Sequence, residues 1–155
     1  MKIVIAMDSF KGSLTSLEAG EAAAKGVTDS LPDSEIILIP LADGGEGTVS
    51  AIVNALGGEM VPAVVRGPLG TLIESSYGMV CAADDTGTSR VTALIEAADA
   101  AGLTKVPSSL RNPRKTTTAG LGDLIRHAVT RGIKDFVIGI GGSATNDCGL
   151  GMMES

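Results

Sequence analysis

The chain has no tryptophan, one tyrosine, two phenylalanines, one histidine and two cysteines among its 155 residues. With so few rings, the core has to be built from Ala, Val, Leu, Ile and Met. That composition suits a parallel sheet buried beneath helices of small residues. The single histidine, His127, excludes a His-based metal centre within the chain. It also has no serine or cysteine near it in a nucleophile context, which argues against a Ser-His-Asp triad. Cys81 and Cys148 show neither metal-ligand spacing nor a disulfide framework, the usage of a reducing, cytoplasmic setting. No apolar run approaches membrane-spanning length. The opening MKIVIAMDSF is too short in apolar residues for a signal peptide. GxxxxGK[ST] occurs nowhere, so there is no Walker A loop. No GxGxxG follows the first apolar run, which weighs against a Rossmann oxidoreductase. The formal net charge of −6 disfavours nucleic acid and anionic membranes as partners. An anionic substrate would need a local basic pocket or a bound cation.

What is present alternates. KIVIA (2–6) predicts a buried strand. TSLE (15–18) has the capping-box pattern, placing a helix start at Thr15, and Pro32 stops that helix after Leu31. EIILI (35–39) predicts a second strand. Val49, Ile52, Val53 and Leu56 follow at helical spacing, closed by Gly57 and Gly58. EMVPAVVRG and LIESSYGMVCAA flank GPLG and predict an added hairpin. RVTALIEA reads as a strand running into the short helix AADAAGL. Leu121, Leu124, Ile125, Ala128 and Val129 form one apolar helix face, and KDFVIGI (134–140) predicts a last strand. Strands alternating with helices imply a three-layer, parallel-sheet α/β fold of flavodoxin or Rossmann type. The small, acidic run DDTGTS (84–89) is the best boundary in composition. It divides the chain into a first α/β part with a hairpin, residues 1–89, and the start of a second α/β domain, residues 90–155.

In such folds ligands sit outside the carboxyl ends of the strands, which singles out the loops that follow them. In GIGGSATNDCGLG, bare main chain at Gly141 and Gly142 could cradle an anion, Ser143, Thr145 and Asn146 offer neutral hydrogen bonds, and Asp147 could hold Mg²⁺ or accept a proton. The same text also reads as a tight strand-to-helix turn with an Asx cap. In MDSFKGS, Lys11 could neutralise a phosphate, while Asp8 could position a hydroxyl or take its proton. A polar loop with an Asp cap accounts for it equally well. In LADGGEG, Asp43 and Glu46 could ligate a hard cation or simply offset a helix dipole. In RNPRKTTT, Arg111 and Thr116, Thr117 and Thr118 could grip a carboxylate or phosphate; the alternative is a solvated basic loop with Thr118 as N-cap.

Taken together and in this order, DSFKGSLTSLEA, LPDSEIILIPLADGGEGT, RGPLG…YG, IEAADAAGL, RNPRKTTTAGLGDLI and IGIGGSATNDCGLGM resemble the bacterial glycerate kinase family, over residues 1–153. The resemblance implies two α/β domains and an active site in the cleft between them. It implies transfer of the γ-phosphoryl group of ATP to D-glycerate with Mg²⁺, giving 2-phosphoglycerate or, less favoured, 3-phosphoglycerate, as part of organic-acid catabolism. On that reading Asp8 and Lys11 are catalytic. Ser9, Arg111, Thr116, Thr117, Thr118, Gly141, Gly142, Ser143, Thr145 and Asn146 bind substrate or phosphate, and Asp43, Glu46 and Asp147 hold the metal. A non-catalytic nucleotide-binding module is the alternative. Met7 stands where the family usually has Pro, Ala119 and Leu121 where it has an aromatic residue and Thr, and Cys148 where it has Gly. Family chains are more than twice this length. The sequence therefore reads as an N-terminal fragment, expected to be inactive alone and prone to self-association through exposed strand edges.

Overall fold

The computed structural model describes residues 1–10, 13–83 and 87–155. The chain forms two compact units, Met1–Asp43 and Gly44–Ser155.

The first unit is a single βαβ turn: β1 (Lys2–Met7), α1 (Ser16–Ser30) and β2 (Glu35–Pro40). The two strands pair in parallel, from Lys2 opposite Glu35 to Met7 opposite Pro40. The capping box forms as its spacing predicts. The Glu18 main-chain N–H donates to Thr15 Oγ1 at 3.2 Å, and the Thr15 N–H donates to Glu18 Oε2 at 2.8 Å. Two otherwise orphaned donors are satisfied this way. α1 ends at Leu31, before Pro32, whose missing N–H cannot continue a helix. β1 is not buried on both faces as its apolar run suggests. Its exposure alternates residue by residue, and Val4 is 54% exposed, because a single helix covers only one face of a two-stranded sheet.

The second unit holds α2 (Thr48–Leu56), β3 (Glu59–Arg66), β4 (Leu72–Ala83), β5 (Ser89–Glu96), α3 (Ala97–Ala101), α4 (Ala119–Thr130), β6 (Asp135–Gly139) and α5 (Leu150–Met153). Two single-turn 3-10 helices lie between α3 and α4. The sheet order is β3-β4-β5-β6. β3 and β4 make the predicted hairpin, closed by Gly67 N–H donating to Thr71 O. β4 and β5 are also antiparallel, from Gly78 opposite Leu94 to Ala83 opposite Ser89. Only β5 and β6 run parallel. The boundary suggested at residue 89/90 therefore falls inside β5, and the compact units divide at Asp43/Gly44 instead. A run of small acidic residues looks alike whether it links domains or two paired strands.

Strand alternation sorts the core into two layers. Val61, Val65, Tyr77, Ala93 and Ile95 face α3 and α4, meeting Ala100, Leu121, Leu124 and Ala128. Leu94 and Val80 face the other way, against Val49 and Val53 of α2. The unit is thus three-layered, helix–sheet–helix. Gly78 lets α2 lie close, since a Cβ there would come 2.4 Å from Val53 Cγ2. Within the predicted α4 face, Leu121, Leu124 and Ala128 are buried, but Val129 is 52% exposed at the last turn. The only tyrosine, Tyr77, is fully buried, and the only histidine, His127, is its partner. The His127 Nδ1 and Tyr77 Oη are 3.3 Å apart, and the rings meet edge-on at 5.7 Å. His127 is accounted for by this packing. Among the described residues no helix is long and apolar enough to cross a membrane.

Candidate functional site

In the second unit, four segments far apart in sequence are fastened together at the carboxyl ends of the parallel pair β5–β6. The loop leaving β6 is tied to residues 44–47 by the Gly141 N–H, which donates to Gly44 O at 2.9 Å. A Cβ on Gly139 would lie 2.6 Å from Gly44 O, and one on Gly141 would lie 2.7 Å from Gly45 N and Cα. Both glycines are therefore required by loop-on-loop packing. The same loop is tied to the segment after α3 by Leu103 N–H to Gly142 O and Ala144 N–H to Ala101 O, each 2.9 Å. Thr116 Oγ1 donates to Ala144 O at 2.7 Å. The tip stays open: Gly142, Ser143 and Asn146 are exposed, and Ser143 Oγ lies 3.1 Å from Thr145 Oγ1. Among the described residues no acceptor takes the main-chain N–H of Gly142 or Ser143.

Asp147 faces inward. Its Oδ2 accepts the Thr118 N–H at 2.8 Å, the Thr118 hydroxyl at 2.9 Å, the Gly151 N–H at 3.2 Å and the Thr117 hydroxyl at 3.4 Å. Its Oδ1 accepts the Gly149 N–H at 3.1 Å. Burial pushes this carboxyl up, but the hydrogen bonds from Thr118, Gly149 and Gly151 outweigh it and hold it below the usual aspartate range. With four donors around it, Oδ2 has no place for a cation, and through these bonds Asp147 brackets α4 and α5.

The threonine run behaves likewise. Thr116 and Thr118 each give their one hydroxyl proton to a protein acceptor, which leaves none to donate to an anion. Thr118 sits at the N-cap of α4, yet its Oγ1 accepts from Met152 N–H at 3.0 Å rather than from its own helix. Thr117 Oγ1 accepts from Ala119 N–H at 3.1 Å. Arg111 is exposed, with Nε donating to Val106 O at 3.2 Å.

Glu46 is exposed on the 44–47 loop, and its Oε1 accepts from Thr104 Oγ1 at 2.9 Å. Among the described residues no three of His, Cys, Asp and Glu cluster as a metal site. Mg²⁺ needs no such cluster, since it is commonly held by one or two carboxylates with phosphate oxygens and water. The exposed Glu46 suits that role, as a carboxylate beside an open loop tip.

In the first unit, Asp8 and Ser9 follow β1 and Asp43 follows β2, at the carboxyl ends of that parallel pair. Asp8 is exposed, and its Oδ1 accepts the Ser9 N–H at 2.6 Å. Lys11 lies outside the described residues.

Three carboxylates escape a reading by motif: Glu96 and Asp123 are buried and Asp99 is half-buried. Asp99 Oδ2 accepts from Ser75 Oγ and Ser76 N–H, at 2.9 and 2.8 Å, and its Oδ1 meets Lys105 Nζ at 2.9 Å. Asp123 is gripped by Arg66 through Nε at 2.8 Å and a terminal nitrogen at 2.6 Å. The Arg66 pairing holds its carboxyl low against a smaller opposing push from burial. Glu96, at the end of β5, accepts from the main chain of α2; burial pushes it above the usual glutamate range despite those bonds. The only trace of Glu96 in the sequence is a lone acid closing the apolar run RVTALI.

A sequence profile described as the glycerate kinase family matches residues 3–155. The chain is 48% identical to a glycerate kinase of Bacillus subtilis (strain 168) and 46% identical to a glycerate 2-kinase of Escherichia coli (strain K12). Each alignment covers all of this chain and 39% of the relative. A crystal structure from Salmonella typhimurium LT2, named provisionally as glycerate kinase 2, superimposes with a TM-score of 0.73 at 48% identity. It covers 99% of this chain and 40% of that one. The chain thus spans about two-fifths of the length of the relatives it matches.

Proposed function

This chain belongs to the glycerate kinase family, and from that premise we propose that it carries part of the active site of an enzyme that phosphorylates D-glycerate with ATP and Mg²⁺. The observation that carries the reading is the joining of residues 44–47, 101–105, 116–118 and 139–149 at the carboxyl ends of β5 and β6, where α/β sheets receive ligands. Phosphoryl transfer asks chiefly for in-line positioning and for neutralisation of charge on the transferred oxygens. The open Gly142–Asn146 tip, with the N–H groups of Gly142 and Ser143, receives phosphate oxygens. Lys11 neutralises their charge, and Arg111 pairs with the substrate carboxylate or a phosphate. Asp8 orients the glycerate hydroxyl and accepts its proton as that oxygen bonds to the γ-phosphorus, while the bond to the β–γ bridging oxygen breaks and ADP leaves. Glu46, in the second unit, would hold Mg²⁺, which would neutralise charge on the phosphates, and Asp43, in the first, is the other acid assigned to the metal. The name of the Escherichia coli relative, a glycerate 2-kinase, favours 2-phosphoglycerate as product. The cysteine usage favours a reducing, cytoplasmic setting.

The test is a family-length chain carrying these residues, incubated with ATP, Mg²⁺ and D-glycerate. Release of ADP should depend on glycerate, and phosphorus NMR should identify the 2-phosphate ester. ATP binding without glycerate-dependent turnover would favour a nucleotide-binding module instead. The 155 residues alone are expected to show no turnover.

A further inference from the structure

α2 begins without a cap of its own. Its N-cap residue is Gly47, with φ +89°, and no side chain of the helix satisfies its first N–H groups. Those donors are met from elsewhere. Glu96 Oε1 accepts the Val49 N–H at 2.6 Å and Oε2 accepts the Gly47 N–H at 3.2 Å, across 47 and 49 residues of chain. A carboxylate at a helix N-terminus both satisfies orphan donors and offsets the dipole. Glu96 is the last residue of β5, and its register partner on β6 is Gly139, where the glycine-rich loop departs. Gly139 and Gly141 in turn pack directly beneath Gly44 and Gly45. The loop that Glu96 holds is therefore the loop that the glycine-rich segment rests against.

We infer that Glu96 is a positioning residue that clamps the 44–47 loop onto the ends of β5 and β6, so that it and the 139–149 loop are held as one piece. Its carboxylate does from the sheet what a Ser, Asp or Asn at position 47 would otherwise do from the helix. The Thr104–Glu46 and Gly141–Gly44 bonds complete the fastening. The kinetic consequence rests on the phosphoryl-transfer reading above; the structural one does not.

Two measurements on Glu96→Ala and Glu96→Gln, in a family-length chain carrying these residues, decide the matter. Hydrogen exchange followed by mass spectrometry should show Glu96→Ala speeding exchange in peptides from both 44–49 and 139–143, with α4 still protected. Glu96→Gln keeps one acceptor and should fall between Ala and the parent. Faster exchange at 44–49 alone, or in neither segment, overturns the clamp, as does a general loss of protection that includes α4. In the kinetic arm, Glu96→Ala should raise KM for ATP about tenfold, with KM for glycerate unchanged and partial rescue by Gln. An equal loss for both substrates would contradict the clamp's role at the phosphate loop. A parent chain without glycerate-dependent turnover would defeat the proposed function, and the exchange experiment would still judge Glu96.

Discussion

Asp147 Oδ2 and the main-chain nitrogen of Thr118 are 2.8 Å apart, which makes a residue of the glycine-rich loop the anchor for the first turn of α4. Replacing Asp147 with Asn keeps the shape but exchanges a charged acceptor for an amide, one end of which donates. Even with its carbonyl oxygen turned to the donors around Oδ2, the amide would set its N–H₂ against the Gly149 N–H and weaken every remaining bond by the loss of charge. The expected cost is about 1–3 kcal/mol of unfolding free energy. Urea unfolding should measure it. The only tyrosine, Tyr77, is buried in this unit, so its fluorescence reports the transition.

Acid should weaken the same unit in a defined order. Asp123, held low by Arg66, and Asp147, held low by its hydrogen bonds, both have folded-state values below the unfolded one. For such groups the stabilisation is fully present above the unfolded aspartate value, about 3.9. It is lost as pH falls through the depressed folded values. Glu96 has the opposite sign: its folded value is raised, so its protonation favours the folded state as pH falls. Asp123→Asn should flatten the loss of stability below about pH 4, and Glu96→Gln should leave that limb in place. Unfolding curves at stepped pH values test both. An unchanged acid limb in Asp123→Asn would show that its pairing with Arg66 contributes nothing there.

How much of this was legible beforehand depends on whether the controlling partner was near in sequence. The α1 capping box is a four-residue pattern, and the α2 stop is a glycine doublet, so both could be read directly. The β3–β4 hairpin was announced by GPLG. The β4–β5 pairing was not, because no tight-turn signature marks it. The glycine-rich loop was found but only half understood: a glycine needed under another main chain and one needed under a phosphate look the same as letters. Glu96 acts across 47 residues and Asp123 across 57, with no local sign of either partner. The predicted roles of Thr116–Thr118 shifted for the same reason, since their acceptors lie about thirty residues downstream.

Cys148 is, among the described residues, the only non-glycine with positive φ, at +53°. That is the position where the family resemblance expects Gly. A side chain in the left-handed region costs about 1–2 kcal/mol, and Gly returns part of that gain through the extra freedom of its unfolded chain. Cys148→Gly should therefore stabilise the second unit by about 0.5–1 kcal/mol, read as a higher urea midpoint with unchanged slope. A lower midpoint would mean that the thiol makes contacts worth more than the backbone strain.

The final prediction sets one substitution, Gly→Ala, against itself at two sites. Gly26 lies inside α1 with nothing within 4 Å of a built Cβ, so Ala gains helix propensity at no steric cost. Gly26→Ala should stabilise the helix by about 1 kcal/mol. Gly141 has no positive φ to relieve, but its Cβ would fall 2.7 Å from Gly45 N and Cα, both main-chain atoms with no flexible end to move. Gly141→Ala must push the 44–47 and 139–149 loops apart, at a cost of about 1–3 kcal/mol. Far-ultraviolet circular dichroism in urea should move in opposite directions for the two variants. In a family-length chain only Gly141→Ala should also lower turnover. Equal behaviour of the two would mean that the glycines after β6 are not there to let two main chains touch.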